Sequence, residues 1–330
     1  MSVLVAGGAG YIGSVTAKIL ADSGRKVVVY DNLSRGHAQA VSPECTFVEG
    51  DLGDEKLLRK TFKEHGVESV MHFAAHSQVP ESMRRPEIYF ANNVAVGLKI
   101  LEAMRAEGVS QIIFSSTCAV FGVPDSLPIA EDFPQRPVNP YGESKLMFER
   151  MLYWYARTHA MDCTVLRYFN ACGAWEGLGE DHDPETHLIP LVLDAALGKR
   201  PSISIFGDDY PTPDGTCVRD YIHIKDLALA HLLALEKGGR GYAHYNLGNG
   251  VGYSVKEVIE AARRVTGREI PVVIAPRRPG DPPELVGSSQ KINAELGFNA
   301  EYSDIDQIVE SAWAWSREHP EGYENEKHGQ

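Results

Sequence analysis

The stretch VNPYGESK (Val138–Lys145) sets a phenol and an ammonium four residues apart, Tyr141 and Lys145, directly after Pro140. Proline is favoured in the first turn of a helix. Four residues is little more than one helical turn, so both side chains project from one face. Alone, the pair reads equally well as two solvated residues on a surface helix. It gains meaning from IIFSSTCAVFG upstream, a strand ending in Ser115, Ser116 and Thr117. A phenol has a reference pKa of about 10 and is a poor base at neutral pH. A nearby ammonium favours its phenolate, and a hydroxyl such as that of Thr117 can hold a substrate oxygen and relay its proton.

A second chemical signal opens the chain. In VLVAGGAGYIGS, Gly8, Gly10 and Gly13 fit G-x-G-x-x-G, and Gly7, Gly10 and Gly13 fit G-x-x-G-x-x-G. Such glycines allow a tight turn and a close approach of backbone to a pyrophosphate, which the N–H groups at the start of the following helix attract. The run follows a strand-like segment, precedes a helical one and is followed by Asp31 at the end of the next strand. A carboxylate there can accept hydrogen bonds from both adenosine ribose hydroxyls and repels a 2′-phosphate. This favours NAD over NADP, although Arg35 nearby offsets part of that charge. Asp51 and Leu52 in EGDL follow the third strand and are expected near the adenine.

The elements that must hold these groups can be read from hydrophobic runs. Val3–Ala6, Lys26–Tyr30, Thr46–Gly50, Ser69–Ala75, Gln111–Ser116 and Cys163–Phe169 are nearly continuous apolar stretches, as expected of strands covered on both faces. Helical stretches lie between them, around Tyr11–Ser23, Lys56–Glu64, Asn92–Glu107 and Tyr141–His159. The alternation predicts an α/β fold, a doubly wound parallel sheet (Rossmann-type) with a smaller mixed α/β substrate-binding region. Residues 1–175 are expected to form the dinucleotide domain, completed by segments around 215–250, and residues 176–330 an interleaved second region. That second half is less regular. It has Pro/Gly-rich loops at IFGDDYPTPDGT and APRRPGDPPE and helices at Lys225–Lys237, after Ser254 with Glu257 as its capping partner, and at Asp304–Arg317. The polar tail EGYENEKHGQ is expected to fray.

Composition excludes several classes. A net charge of -13 over 330 residues disfavours nucleic acid and anionic membrane as partners. No apolar run is long enough for a membrane span, and the first residues resemble no signal peptide. Five cysteines without a C-x-x-C pair are expected as reduced thiols in a cytoplasmic protein. GEDHDPETH offers two histidines and several carboxylates, but its spacing fits no standard zinc motif, and no metal is expected.

The whole set resembles the extended short-chain dehydrogenase/reductases and, among them, the UDP-glucose 4-epimerase family. The likeness runs in order through GGAGYIGS, DNLSRGH, HFAA, PYGESKLMFE, LRYFNACGA, THLIP, GTCVRDYIHIKDLA, YNLGNG, APRRPGD and AWAW, nearly the whole chain. It implies interconversion of UDP-galactose and UDP-glucose through transient oxidation at sugar C4, turning of the 4-keto sugar and return of the hydride, with NAD held throughout. Catalysis would rest on Thr117, Tyr141 and Lys145. NAD would meet Gly7, Gly10, Tyr11, Ile12, Asp31, Asn32, Asp51, Leu52, Phe73, Ala74, Ala75, Asn92, Ser115, Tyr141, Lys145 and Tyr168. The UDP-sugar would meet Thr117, Tyr141, Asn170, His187, Leu188, Phe206, Arg219, Arg278 and Asp281. The arginines suit a diphosphate, since guanidinium forks match it. A homodimer through the helices around Asn92–Glu107 and Tyr141–His159 is implied as well.

Departures from the family pattern matter. Ser77 stands where some members carry a lysine near the NAD diphosphate, so retention could be weaker. Leu285 stands where some carry a tyrosine that limits N-acetylated sugars, so UDP-N-acetylhexosamines stay open, as do UDP-xylose and UDP-arabinose. Sugar dehydratases need an acid/base pair just after the strand-end threonine. Cys118 and Ala119 occupy that place and cannot serve. A dinucleotide sensor on the same fold would need neither Tyr141 nor Lys145.

Overall fold

The computed structural model describes residues 1–278 and 281–323. The six apolar runs become β1 (Ser2–Ala6), β2 (Lys26–Asp31), β3 (Thr46–Glu49), β4 (Ser69–His72), β5 (Gln111–Thr117) and β6 (Asp162–Tyr168). They are followed by β7 (Asn170–Cys172), β8 (Ile203–Phe206), β9 (Val218–His223), β10 (Tyr242–Leu247), β11 (Gly252–Ser254), β12 (Val272–Ala275) and β13 (Glu284–Leu285). Seven of these make one sheet in the order β10-β6-β5-β4-β1-β2-β3, and every neighbouring pair in it is parallel.

The helices are α1 (Tyr11–Asp22), α2 (Glu55–His65), α3 (Val79–Ser82), α4 (Pro86–Tyr89), α5 (Gly97–Glu107), α6 (Pro140–His159), α7 (Leu188–Ala196), α8 (Ile224–Lys237), α9 (Val255–Thr266), α10 (Gln290–Leu296) and α11 (Ile305–Glu318). They explain why the strands read as unbroken apolar runs. Leu4, Val28, Val70 and Ile112 face Leu58 and Phe62 of α2, Ile100 and Leu101 of α5, and Phe148 and Leu152 of α6. Val3, Val5, Val27, Val29 and Ile113 face Ala17 and Leu20 of α1 and Leu227 and Ala230 of α8. Alternate residues of one strand therefore enter two cores, the period of two expected for a strand, and both faces are dry.

A separate core lies under α7, α9 and α11, with Ile189, Val192, Val258, Ile259, Ile308 and Val309 packed on Ile203, Ile205 and Tyr221. Here β9 pairs with β7, β11 and β13, and β8 pairs with β12. The Ser254–Glu257 capping box at the head of α9 is present as the sequence predicts.

Two elements differ from expectation. Strand β4 ends at His72, three residues early, because the N–H groups of Phe73 and Ala74 both turn to the carbonyl of Ala6, at 2.8 and 3.0 Å. The helix expected from Asn92 begins instead as a π-helical turn, Phe90–Val96, and becomes α-helical only at Gly97. The polar tail from Glu324 onward lies outside the described residues.

Candidate active site

The glycine run forms a cradle at the carboxyl end of β1. Gly7 takes φ +78°, and a Cβ there would stand 2.5 Å from the Ala74 nitrogen; a Cβ on Gly13 would stand 2.1 Å from the Gly7 carbonyl. Both positions therefore exclude any side chain, and the chain can turn tightly into α1. Gly10 caps α1 without a side-chain acceptor, leaving the first N–H groups free for an anion.

Asp31 closes one side. Its carboxylate accepts from Ala9 N at 3.0 Å and Leu33 N at 2.9 Å. Burial pushes its pKa up, and those backbone donors pull against the rise. Asn32 donates to Asp51 at 2.8 Å, which joins the loops after β2 and β3, with Leu52 buried beside them. Phe73, Ala74 and Ala75 line the loop after β4, and Tyr11 and Ile12 stand in the first turn of α1. Asn92 bonds to Asn93 at 3.0 Å. It is Asn93 that is buried, bonding the His76 N–H and carbonyl and the Ser144 hydroxyl. Asn92 stays half-buried on the same turn; the sequence reading did not single out Asn93, whose inward placement follows from the π-helical turn. These free donors, the glycine clearances and Asp31 fit NAD.

Ser115, Thr117, Tyr141, Lys145 and Tyr168 come together at the carboxyl edge of β5 and β6. Asn139 caps α6 and accepts from Gly142 N at 2.8 Å, with Pro140 at the first helical position, so Tyr141 and Lys145 share a face as predicted. Lys145 Nζ donates to the Ser115 carbonyl at 2.7 Å and lies 4.8 Å from the centre of the Phe114 ring. The Ser115 and Tyr168 hydroxyls bond to each other. Thr117 Oγ1 accepts from Ala119 N at 3.1 Å. Burial pushes the Tyr141 phenol up to about 12, with the Thr117 hydroxyl pulling it down. Burial lowers Lys145 to about 7, with the Glu149 carboxylate opposing. Burial also lifts the Cys118 thiol to about 12, which removes it as a nucleophile at neutral pH.

Beneath this group lies a pair the sequence reading did not single out. Glu149 follows Lys145 by one further turn of α6. It accepts from Arg167 Nη2 at 2.6 Å and from the Ser116 hydroxyl at 2.5 Å. Both side chains are almost fully buried, at 2% and 1% exposure.

The residues expected to hold the second ligand split into three groups. Asn170 on β7, Arg219 on β9 and Leu285 on β13 lie on one small sheet, where Leu285 is in register with Arg219. Asn170 donates to the Asp220 carbonyl at 3.0 Å, and Arg219 donates to Asp281 at 2.7 Å. Leu285 and Cys118, the neighbour of Thr117, pack against the same apolar cluster, so this group borders the Tyr141 site. Arg278 and Phe206 form a second group, the guanidinium 3.8 Å from the ring centre.

His187 and Leu188 open α7. There GEDHDPETH closes on itself: Glu180, His182, Glu185 and His187 each bring a polar atom within 4.8 Å of the others. Desolvation opposes charge on His187, but Glu180 and Glu185, each 2.8 Å away, outweigh it and hold its pKa well above the ordinary value. Loss of hydration likewise opposes charge on His182, and the same carboxylates raise it to about 9.

Known proteins resemble this chain closely in sequence and fold. The model of the NAD dependent epimerase/dehydratase family matches residues 3–248. A UDP-glucose 4-epimerase of Halalkalibacterium halodurans is 50% identical over 331 residues, covering 99% of this chain and 98% of that protein. A solved UDP-glucose 4-epimerase structure superposes with a TM-score of 0.95 at 50% identity, over 98% of this chain and 100% of that one. The enzyme of Bifidobacterium longum, solved with NAD+ and UDP, superposes at 0.93 with 39% identity, over 98% of this chain and 100% of that one.

Proposed function

The chain belongs to the NAD dependent epimerase/dehydratase family, and from that premise we propose that it interconverts UDP-galactose and UDP-glucose by inverting carbon 4 of the sugar. The observation that carries this reading is the Thr117–Tyr141–Lys145 group at the carboxyl edge of β5, beside the glycine cradle, in a chain 50% identical to UDP-glucose 4-epimerases over nearly its whole length.

NAD, bound along Gly7–Ile12, Asp31, Asn32, Asp51, Leu52, the Phe73–Ala75 loop and Tyr168, supplies a reversible hydride acceptor for sugar carbon 4. Tyr141 takes and returns the proton of the 4-hydroxyl, and Thr117 holds that oxygen. A phenol that burial holds at about 12 needs cationic help. Lys145 on the next turn of α6 is the side chain placed to give it. Arg219, Arg278, Asn170 and His187 grip the diphosphate, Asp281 and Leu188 hold the uridine, and Phe206 packs on the uracil. This leaves the sugar free to present either face. In this division residues 1–175, with segments around 215–250, hold NAD, and residues 176–330 hold the UDP-sugar.

Two helices carry apolar side chains into solvent. Leu98 on α5 is 43% exposed, and Met147 and Trp154 on α6 are 38% and 60% exposed. A homodimer joined through these helices would cover them. Sedimentation should give twice the chain mass, and Trp154→Glu should give monomer. With five free thiols and no helix among the described residues long and apolar enough to cross a membrane, we place the protein in the cytoplasm.

The decisive assay follows UDP-galactose conversion by purified protein without added NAD, with UDP-N-acetylgalactosamine and UDP-xylose in parallel. UDP-glucose formation supports the reading. Inactivity toward all three sugars, with and without NAD, refutes it.

A further inference from the structure

Two loops at the carboxyl edge of the large sheet and the first turn of α1 reach for one short stretch of chain. Arg35, after β2, donates to the carbonyl of Asp183. His37, in the same loop, bonds to the carbonyl of Asp181 at 3.0 Å. Gln78, beyond β4, donates to the carbonyl of Pro184 at 2.9 Å. Tyr11, in the first turn of α1, meets the His182 ring edge-on at 6.1 Å. The rear of the stretch is tied down as well: Tyr323 N donates to Asp181 Oδ2 at 2.9 Å, and the His37 and Tyr323 rings stack at 5.0 Å.

Ligands of doubly wound sheets lie outside the carboxyl ends of the strands, and the glycine cradle between β1 and α1 opens among these same loops. Residues 181–184 therefore run across its mouth, from the β2 side to the β4 side. The bonds fastening them go mostly to main-chain carbonyls, so they fix the path of the strap whatever its side chains.

We propose that residues 180–187 form a strap that retains NAD, fastened by Arg35, His37 and Gln78, and that it couples NAD retention to the UDP-sugar. This rests on the NAD and UDP-sugar reading above. Ser77 brings no cation to the cradle, and its neighbour Gln78 holds the strap instead. The strap ends in His187 at the head of α7, joined to it by the Glu180–His182–Glu185–His187 cluster. A ligand that orders His187 therefore orders the strap, and by reciprocity each ligand strengthens the other.

The test measures NAD release from the holoprotein after dilution into an enzymatic NAD trap, for wild type, Arg35→Ala, Gln78→Ala and the double variant. Both substitutions lie outside the catalytic group, at the exposed Arg35 and the half-buried Gln78. Gln78 is uncharged, so its removal separates fastening from direct attraction of phosphate. Release should quicken a few-fold in each single variant and about tenfold or more in the double, the scale of one or two lost hydrogen bonds. Turnover at saturating NAD should be unchanged. UDP should slow release from wild type several-fold and lose that effect in the double variant. Hydrogen exchange of amides 181–186 should rise in the double variant even with NAD bound.

Release equal to wild type in the double variant overturns the strap, as does an unchanged UDP effect. Retention abolished by a chelator also overturns it, because the cluster would then be a metal site. A wild-type protein that neither carries nor binds NAD sinks the underlying functional reading instead, so the two failures are distinguishable.

Discussion

The Lys145 ammonium donates to the main-chain carbonyl of Ser115 at 2.7 Å, so one buried side chain ties helix α6 to the end of strand β5. That single bond sets the distance between Thr117, two residues on along the strand, and Tyr141, one turn back along the helix. On the proposed mechanism, Tyr141→Phe removes the proton acceptor and leaves the bond. Turnover should fall by about 10²–10⁴-fold, the usual weight of a general acid–base, with UDP affinity within a few-fold of wild type. Lys145→Met should lower turnover comparably and also weaken NAD binding. Stopped-flow turnover with parallel UDP calorimetry checks both; a Tyr141→Phe enzyme keeping a tenth of its rate would remove the tyrosine from the mechanism.

Buried histidines make stability fall toward acid. Burial lowers His72 to about 3 and His223 and His231 to about 4. Their ordinary value is about 6.5, so as pH falls the unfolded chain takes up protons that the folded one refuses. Their stability is present above about pH 6.5 and is lost toward pH 4, at roughly 1.4 kcal/mol per pH unit for each. His182 runs the other way: its raised pKa of about 9 gives stability below pH 6.5 that is lost as pH rises through 9. Thermal melts from pH 4 to 9 should show a steep acid limb, made shallower by His231→Leu. A flat profile between pH 7 and 4.5 would contradict this account.

The parts readable from sequence are those whose chemistry is local. The glycine turn is legible because only glycine fits where a Cβ would strike backbone. Tyr141 and Lys145 are legible because one helical turn relates them. Asn93 escaped because its role depends on a π-helical turn that no propensity marks. The Glu149–Arg167 pair escaped because α6 and β6 meet only in the folded chain. Strands β7, β11 and β13 are three residues or fewer, too short to show a period, and are held by pairing with β9. The histidines and carboxylates of GEDHDPETH are plain in the sequence, but their closing into one cluster is not, because it depends on the path of a loop, and path has no periodicity.

Glu149 and Arg167 give a prediction of their own. Removing one partner of a buried ion pair leaves an uncompensated charge and costs about 3–5 kcal/mol, whereas replacing both with apolar groups is often neutral. Glu149→Gln should therefore lower the urea midpoint substantially. Glu149→Leu with Arg167→Met should recover most of it. The double variant still lacks the carboxylate that supports charge on Lys145 and the acceptor for Ser116, so its turnover should stay low although its stability returns. Recovery of both together would make the pair a structural element alone.

Leu285 provides the last prediction. It packs against the cluster of Val120, Phe121, Ile129, Leu146 and Phe169 beside Cys118, one residue from Thr117, and pairs in register with Arg219. On the proposed placement of the UDP-sugar, a side chain there lies between Thr117 and Arg219, where it would limit the bulk at sugar carbon 2. Leu285→Tyr adds a ring at that border. Steric discrimination in a pocket is worth about 1–3 kcal/mol, so kcat/KM for UDP-N-acetylgalactosamine should fall about tenfold or more relative to UDP-galactose. Leu285→Ala should move the ratio the opposite way. Steady-state kinetics on both sugars reads the ratio directly, and a ratio unmoved by either substitution would place Leu285 outside the sugar pocket.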